Sequence, residues 1–366
     1  MKITVVGCGA GAFATAADLS RKGHDVTLYV SKAHSKNFDD IRDSKVIRYY
    51  DNENVDGINV SLYNVTDEPD IAFAEHDIIF VVTPTFAHES IAYEMTAYVN
   101  RYDVVVLSPG STGGALVFRR VFDDTIPGNA PKLAEIHTLP YTARKKGTDA
   151  VRVTLYVDYL LFAAMPAMYN HDIYHIVKEL YPSIIMCHDV LETGLNNGNA
   201  TTHPAPMVLN AGKIEYYGKH KHYAEGITPS VGNVVQAIDD ERKNICYAFG
   251  YRELDIKDRL YLMGYCPLKR TVYECINDEK SVFPPIGGPD TLNNRYLTED
   301  APYSLVAMSS IASIKGIPTH LMDSVVYMAG ALMGHDYMHE GRTLASMGLD
   351  SLNADEVLTF VMTGKK

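Results

Sequence analysis

The sequence of residues 2–12, KITVVGCGAGA, decides the fold of the amino-terminal part of the chain. Residues 2–6 are rich in β-branched side chains, which predicts a buried strand. Residues 13–22 then predict a helix that stops at a glycine, and residues 24–30, HDVTLYV, predict a second strand. A strand, a glycine-rich turn, a helix and a second strand in this order predict a βαβ unit.

The glycine-rich turn follows the pattern Gly7-x-Gly9-x-x-Ala12. Gly7 permits a tight turn, Gly9 lets a pyrophosphate approach the backbone, and Ala12 lets the helix pack closely on the strand. The phosphates would contact backbone amides at the amino terminus of the helix. We therefore predict that a dinucleotide cofactor is bound by Gly7, Gly9, Ala10, Gly11 and Ala12. The alternative is a glycine turn that binds nothing.

The end of the second predicted strand bears on which dinucleotide is bound. Sites specific for NAD place Asp or Glu about 20 residues after the glycines. Here that position reads Tyr29-Val30-Ser31-Lys32, without a carboxylate. Ser31 could donate a hydrogen bond to a 2′-phosphate and Lys32 could pair with it, so the sequence favours NADP. The alternative is that Lys32 is a solvated surface residue and that NAD binds through other contacts.

Two further apolar runs, at residues 76–83 and 104–108, are typical of parallel strands covered on both faces. Strands near residues 151–157 and 184–187 are expected to complete the same domain. Thr83 and Pro84 lie at the carboxyl end of the first run, where ligands bind in open α/β sheets, so both are predicted to border the cofactor. An ordinary loop is the alternative for this segment.

After about residue 189 the β-branched runs give way to long helical patterns at residues 231–249, 256–264 and 304–314. Asn353 and Glu356 have the spacing of a capping box at the start of another helix. The sequence therefore predicts an α/β chain of two domains. A Rossmann-type domain with a mostly parallel sheet spans residues 1–188, and a mainly helical domain spans residues 189–366.

Composition excludes several classes of partner. The 366-residue chain has 33 Lys and Arg against 45 Asp and Glu, a net charge of −12, which argues against nucleic-acid binding. No apolar run approaches the ~18 residues of a membrane span, so no membrane contact is expected. The five cysteines form no CxxC pair, which is typical of a reduced, cytoplasmic protein without a zinc site. No bound metal is predicted.

Two polar segments of the second domain attract attention. In residues 196–204, Asn199 and His203 would share one helical face if the stretch is helical, and Pro204 must start or kink a helix. In residues 295–302, Thr298 could cap a helix whose first turn holds two carboxylates. Spacing alone favours structural explanations, namely a solvated histidine in the first segment and a well-capped helix beside an arginine in the second.

The chain resembles the opine dehydrogenases of the octopine/nopaline dehydrogenase type. The resemblance spans nearly the whole sequence and rests on the glycine motif and on four segments, which are PGSTGGALVF at 109–118, NNGNATTHPAPMVLNAG at 196–212, GGPDTLNNRYLTEDAPYSLV at 287–306 and GRTLASMGL at 341–349. It implies a nucleotide-binding domain followed by a helical catalytic domain. It also implies that an amino acid and a 2-oxo acid are joined and that the resulting imine is reduced with NAD(P)H.

Carried over residue by residue, the resemblance implies that His203 is the catalytic histidine, Asp300 its partner and Arg295 the nearby arginine. Asp300 would fix the tautomer of the imidazole, and His203 would act as acid or base on the oxo acid. Arg295 would grip a substrate carboxylate in two places. Asn199 is a further candidate for contact with substrate, and Arg144 is the next candidate for the carboxylate site.

Two other functions remain open at this stage. A ketopantoate reductase or another 2-oxo acid reductase shares the two-domain plan, but it would carry a catalytic lysine on the first helices of the second domain. A non-catalytic NADP-binding sensor would show no turnover of NADPH. The sequence leaves open which amino acid and 2-oxo acid react, and a homodimer is compatible with it.

Overall fold

The amino-terminal βαβ unit is formed by β1 (Lys2–Val6), α1 (Ala10–Arg21) and β2 (Asp25–Tyr29) in the computed structural model of the chain. The model describes residues 1–366 apart from the side chains of Ser35 and Asn37. Strand β1 pairs with β2 in parallel. The predicted strand–turn–helix–strand order is confirmed, and the helix starts earlier than predicted because the second half of the glycine turn already belongs to it.

The chain divides into two compact units, one made of residues 1–110 and 114–190 and the other of residues 111–113 and 191–366. The first unit contains the remaining strands, which are β3 (Val46–Tyr50), β4 (Ile58–Ser61), β5 (Asn64–Thr66), β6 (Ile78–Val81), β7 (Val104–Leu107), β8 (Lys132–Ile136), β9 (Tyr141–Lys145), β10 (Ala150–Tyr156), β11 (Leu160–Met165) and β12 (Ile184–Met186). It also contains the helices α2 (Asp39–Arg42), α3 (Pro69–Ala72), α4 (His88–Met95), α5 (Gly114–Thr125) and α6 (Asn170–Leu180).

Eight of these strands form one sheet in the order β12-β11-β8-β7-β6-β1-β2-β5. All neighbours run parallel except β8 and β11, which are antiparallel. Every residue of the central strands β6 and β7 is buried, because helices cover both faces of a parallel sheet. The predicted Rossmann-type, mostly parallel sheet is thereby confirmed.

The other four strands form a second sheet in the order β4-β3-β10-β9, which lies against α1. The strand expected near residues 151–157 is β10, which lies in the first unit but belongs to this second sheet and not to the main one. Strand β10 exposes Thr154 and Tyr156 on one face, whereas every residue of β11 is buried, as a place inside the main sheet requires. The strand expected near residues 184–187 is β12, which lies at the edge of the main sheet.

The second unit consists mainly of helices, and none of those in the described residues has both the length and the apolar character needed to cross a membrane. Its longest helix spans Pro229–Phe249. The Thr228 side chain caps its amino terminus by accepting a hydrogen bond from the Val231 backbone, and Gly250, whose φ is 77°, caps its carboxyl terminus. Asn353 and Glu356 form the predicted capping box. The helices are α7 (Val190–Leu195), α8 (Asn199–Thr202), α9 (Pro204–Leu209), α10 (Ala211–Tyr217), α11 (Pro229–Phe249), α12 (Ile256–Leu262), α13 (Val272–Ile276), α14 (Arg295–Thr298), α15 (Val306–Ser313), α16 (His320–Met333), α17 (Tyr337–Glu340) and α18 (Ala354–Thr363).

Candidate active site

The glycine turn after β1 has the shape of a cradle for a phosphate group. A side chain at Gly7, whose φ is +137°, would collide with the carbonyl oxygen of Val82. A Cβ at Gly11 would come within 2.9 Å of Leu139, whereas one at Gly9 would meet nothing within 4 Å. The space above Gly9 is therefore open, and no acidic residue lies in the first turn of α1 to repel an anion. The residues present fit a dinucleotide pyrophosphate.

Thr83 and Pro84 follow β6, the strand that pairs with β1, so they lie at the same edge of the sheet as the glycine turn. The Thr83 hydroxyl is buried and has no hydrogen-bond partner among the described residues. An orphaned buried hydroxyl is expected to pair with something that the protein binds. This observation agrees with a cofactor contact, and the role of both residues stays a prediction.

Ser31 and Lys32 lie directly after β2, as the sequence predicts. The Lys32 ammonium pairs with Glu68 at 2.9 Å, and this contact raises the pKa of Lys32. Glu68 comes from the chain just after β5, the neighbour of β2 in the sheet. A carboxylate thus stands near the end of β2 after all, supplied by another strand. Sequence position alone could not reveal it, because the link depends on strand order.

His203 lies between the short helices α8 and α9, and Pro204 begins α9 at a position where its missing N–H costs no hydrogen bond. The ring nitrogen Nδ1 is 2.8 Å from Asp300 Oδ2, and both side chains are buried. The Tyr296 ring stacks on the imidazole, with the ring centroids 3.8 Å apart. The structure therefore brings His203 and Asp300 together across 97 residues of sequence.

The segment around Asp300 differs from the sequence prediction. Thr298 does not cap a helix starting at Glu299; Asn294 caps α14 instead, by accepting a hydrogen bond from the Tyr296 backbone. A π-helical turn then spans residues 301–305, with Asp300 at its start. Because Pro302 has no N–H to donate, the regular α-helical ladder is interrupted here. Such turns recur at functional sites, and this one places the Asp300 carboxylate beside His203.

Burial shifts the pKa values of two groups beside His203. It raises the pKa of the Asp300 carboxyl well above its usual value, and the neighbouring Glu299 carboxylate adds to the effect. The Arg295 guanidinium and the Ser304 hydroxyl, which donates to Asp300 Oδ1 over 3.4 Å, favour the charged carboxylate. Burial also lowers the pKa of His222 to about 3, so this second histidine is neutral and donates to the Thr202 carbonyl.

Arg295, the first residue of α14, lies close to Asp300 in sequence, but its side chain is 64% exposed. Its Nε donates to Glu299, which holds the side chain in place. Its two terminal nitrogens form no hydrogen bond with any described residue. Since a guanidinium fork matches a carboxylate in two places, this side chain is suited to a substrate carboxylate.

Asn199 and Arg144, the two predicted substrate contacts, lie in different units. Asn199 is the exposed first residue of α8, and its carbonyl accepts from the backbone of His203 at 3.0 Å, which is the predicted i, i+4 relation. Arg144 lies on β9 of the second sheet, exposed, and donates to the Ala143 carbonyl at 3.0 Å. A substrate role for either residue stays a prediction.

Several polar groups around His203 were missed by the sequence analysis. The Tyr223 hydroxyl is 2.8 Å from His203 Nε2, and Asn197 Nδ2 donates to Ser304 Oγ over 3.0 Å. Ser304 follows Asp300 by four residues, a spacing that could have indicated it. Tyr223 stands in a segment without any repeating pattern, so nothing in the sequence links it to His203.

A dinucleotide cradle at the carboxyl edge of a parallel sheet and a buried His–Asp pair in a helical unit define a two-domain NAD(P)-dependent oxidoreductase. Residues 186–333 match the family model of the alpha-helical domain of NAD/NADP octopine/nopaline dehydrogenase, and residues 3–128 match that of ketopantoate reductase PanE/ApbA. An opine dehydrogenase from Arthrobacter sp. (strain 1C) is 32% identical over 352 residues, 96% of each chain. The chain belongs to the opine dehydrogenase family.

More distant relatives agree with this assignment. A vitopine synthase from Allorhizobium ampelinum is 26% identical over 359 residues, 96% of each chain. An octopine dehydrogenase structure with NADH and L-arginine matches with a TM-score of 0.78 and 21% identity, over 100% of this chain and 98% of that one. The chain therefore catalyses the NAD(P)H-dependent reductive condensation of an amino acid with a 2-oxo acid, as the sequence motifs imply.

Proposed function

We propose that His203 and Asp300 form the acid–base pair of this condensation. The observation that carries the proposal is the 2.8 Å contact between His203 Nδ1 and Asp300 Oδ2, in which both groups are buried. A carboxylate on Nδ1 fixes the imidazole tautomer and stabilises the protonated ring. His203 can then supply a proton to the carbonyl oxygen of the 2-oxo acid, which assists the loss of water as the imine forms.

Arg295 is proposed to bind a carboxylate of the substrates. Glu299 fixes Nε of the guanidinium and leaves the two terminal nitrogens for a ligand. Both substrates carry a carboxylate, and a clamp on it would hold the reacting carbon in a constant position relative to His203. Asn199 and Arg144 remain secondary candidates for substrate contact.

We propose NADP(H) as the preferred cofactor. When bound, the nicotinamide supplies the hydride that reduces the imine. The glycine turn would hold the pyrophosphate, and the orphaned Thr83 hydroxyl would face the cofactor beside Pro84. Ser31 and Lys32 would bind the 2′-phosphate, for which Lys32 must exchange its partner Glu68. Among the structural relatives, octopine dehydrogenase was solved with NADH and yersinopine dehydrogenase with NADP+, so the fold accepts both cofactors.

Cofactor binding and acid–base chemistry are proposed to belong to different domains. Residues 1–188 would bind the cofactor, and residues 189–366 would supply the acid–base residues. The partition of the chain into compact units near residue 190 supports this division. All proposed cofactor residues precede that point, and the proposed acid–base residues follow it. The proposed substrates are a small-molecule amino acid and a 2-oxo acid.

A panel assay tests the proposed function. NADPH and NADH oxidation would be followed with each of several amino acids together with pyruvate, glyoxylate or 2-oxoglutarate. We expect oxidation that requires both substrates, and its near-complete loss in the His203→Ala variant. Oxidation that needs only the oxo acid would instead identify a simple 2-oxo acid reductase, and full activity of His203→Ala would remove His203 from the mechanism.

A further inference from the structure

Both ring nitrogens of His203 are engaged in a buried chain of hydrogen bonds. Ser304 donates to Asp300, Asp300 holds Nδ1 of His203, and the Tyr223 hydroxyl lies 2.8 Å from Nε2. Nε2 is the nitrogen that must exchange a proton with the substrate, since Nδ1 is committed to the carboxylate. The position next to Nε2 is thus filled by a phenol of the protein itself.

The Tyr223 ring is held in place by the core of the second unit. Its side chain is 6% exposed and belongs to a hydrophobic cluster with Ile227, Val235 and Phe283. The Tyr223 ring centroid lies 4.5 Å from that of Phe283 and 4.8 Å from that of the neutral His222 ring. Because close-packed rings do not move freely, the hydroxyl cannot swing away from Nε2 without disturbing this core.

A hydroxyl suits this position in either charge state of the imidazole. When His203 is neutral, with its proton on Nδ1, the Tyr223 hydroxyl donates to the lone pair of Nε2. When the ring is protonated, Nε2–H donates to the Tyr223 oxygen instead. An ammonium or a carboxylate at this place could serve only one of the two states. Tyr223 can therefore keep its hydrogen bond to Nε2 both when His203 is protonated and when it is neutral.

We propose that Tyr223 is a third catalytic residue that passes the proton between His203 Nε2 and the oxygen of the 2-oxo acid. The proposal rests on the acid–base role proposed for His203. In the forward step, the phenolic O–H bond breaks as the substrate oxygen gains that proton, and the Tyr223 oxygen takes the proton from Nε2–H. Tyr223 ends as a neutral phenol and His203 as a neutral imidazole. The net transfer is one proton from the imidazolium to the substrate.

The substitution Tyr223→Phe tests this relay, because it keeps the ring in the core and removes only the hydroxyl. We expect kcat to fall by about 10²-fold, the usual scale for lost acid–base help, with little change in KM for the oxo acid. The matched control is Tyr265→Phe, which removes the hydroxyl of another tyrosine ring packed against Phe283. The control should retain wild-type kcat and pH profile.

A proton inventory in mixtures of H2O and D2O supplies a second readout. A relay moves two protons in one step, so the rate of the wild type should depend on the deuterium fraction in a curved manner. Direct transfer from Nε2 would give a straight line and overturn the relay. For the case that Tyr223→Phe fails to fold, 3-fluorotyrosine at position 223 keeps the shape and lowers the pKa of the phenol, and the relay then requires a shifted pH profile.

The remaining outcomes distinguish failure of the Tyr223 relay from failure of the acid–base role proposed for His203. An active wild type together with an unchanged kcat and pH profile in Tyr223→Phe would overturn the relay alone, and Tyr223 would then only pack. A lower KM with kcat retained or raised would also overturn it, because Tyr223 would then compete with the substrate for Nε2. Full activity of His203→Ala would overturn the acid–base role on which the relay rests.

Discussion

The surroundings of Asp300 shift the pKa of its carboxyl in opposite directions. Burial and Glu299 raise its pKa, while the Arg295 guanidinium and the hydrogen bond from Ser304 favour the charged form. A positive charge on His203 would favour the carboxylate further, across the 2.8 Å contact between Nδ1 and Oδ2. In the proposed mechanism this charge is the imidazolium of His203, so the two residues are expected to function as one unit.

We predict that His203→Ala and Asp300→Ala each lower kcat by about 10²-fold or more. The double variant should be little worse than either single variant, because groups that act together lose their effect together. Steady-state kinetics of the three variants checks this, with Ser309→Ala as a control in the same unit, since the Ser309 hydroxyl bonds to Thr319 and Asp323. Additive losses would mean that Asp300 acts independently of His203.

The Arg295 guanidinium is predicted to bind a substrate carboxylate through its two terminal nitrogens. Arg295→Lys keeps the charge but loses the fork, and one charge-assisted hydrogen bond is worth about 1.5–3 kcal/mol. The KM of one substrate should therefore rise by roughly 10- to 100-fold, while the KM of the cofactor stays the same. Normal KM values for both substrates would return Arg295 to a structural partner of Glu299.

Arg270→Lys is the matched control for this measurement. Arg270 is an exposed arginine of the same unit and is not among the proposed site residues. The same change of side chain there should leave both KM values unchanged. A rise in KM in the control as well would mean that the assay reports a general change of charge and shape at the surface.

For single residues, the sequence analysis proposed roles but did not predict most of the contacts. The identities of His203, Asp300 and Arg295 came from a resemblance in extended motifs, since their spacing alone favoured structural explanations. Tyr223 and Glu68 were not predicted, because each reaches its partner through packing or strand order that no local pattern records. Contacts of this kind become visible only when distant segments are placed side by side.

Among the elements, local patterns predicted the parts that fold locally. The βαβ unit and the apolar strands β6 and β7 were identified because their residues are contiguous and buried on both faces. The four-stranded second sheet was missed, because its parallel pair β3 and β10 joins segments about 100 residues apart. The π-helical turn at residues 301–305 was also missed, as Pro302 suggested an ordinary helix start.

The ends of β2 and β5 are predicted to set the choice of cofactor. In NADPH binding, the 2′-phosphate must compete with Glu68 for the Lys32 ammonium, which is exposed enough to exchange partners. Glu68→Gln should therefore lower the KM for NADPH, and Lys32→Ala should raise it, each by about fivefold, the scale of one exposed ion pair. The KM for NADH should change little in both variants.

Glu75→Gln is the control for the cofactor variants. Glu75 forms an exposed ion pair with Lys2, at the opposite end of β1 from the glycine turn. Its loss should leave both cofactor constants unchanged. A wild-type preference for NADH, or equal changes for both cofactors in Lys32→Ala, would contradict the assignment of Lys32 to the 2′-phosphate.

For the whole molecule, the two units hold different sets of the proposed site residues and different buried titratable groups. The proposed cofactor residues belong to the first unit, and the proposed acid–base residues belong to the second. The second unit buries His222 directly beside His203, with the ring centroids 5.7 Å apart. The stability of the second unit should therefore respond to pH more strongly than its surface charges suggest.

Acid is predicted to destabilise the protein through His222. Its pKa is about 3 when folded, because of burial, against 6.5 for the ordinary side chain. Between these values the unfolded chain binds a proton that the folded chain does not, so the free energy of unfolding falls as pH falls. From about pH 7 to about pH 5 this one group should remove about 2 kcal/mol. Urea denaturation at both pH values measures the change.

The variant His222→Gln can still donate to the Thr202 carbonyl and has no proton to gain, so it should lose about 2 kcal/mol less than the wild type over this interval. His320→Gln, at an exposed histidine of the same unit, should behave like the wild type. Equal losses in the wild type and His222→Gln would show that His222 does not carry the effect.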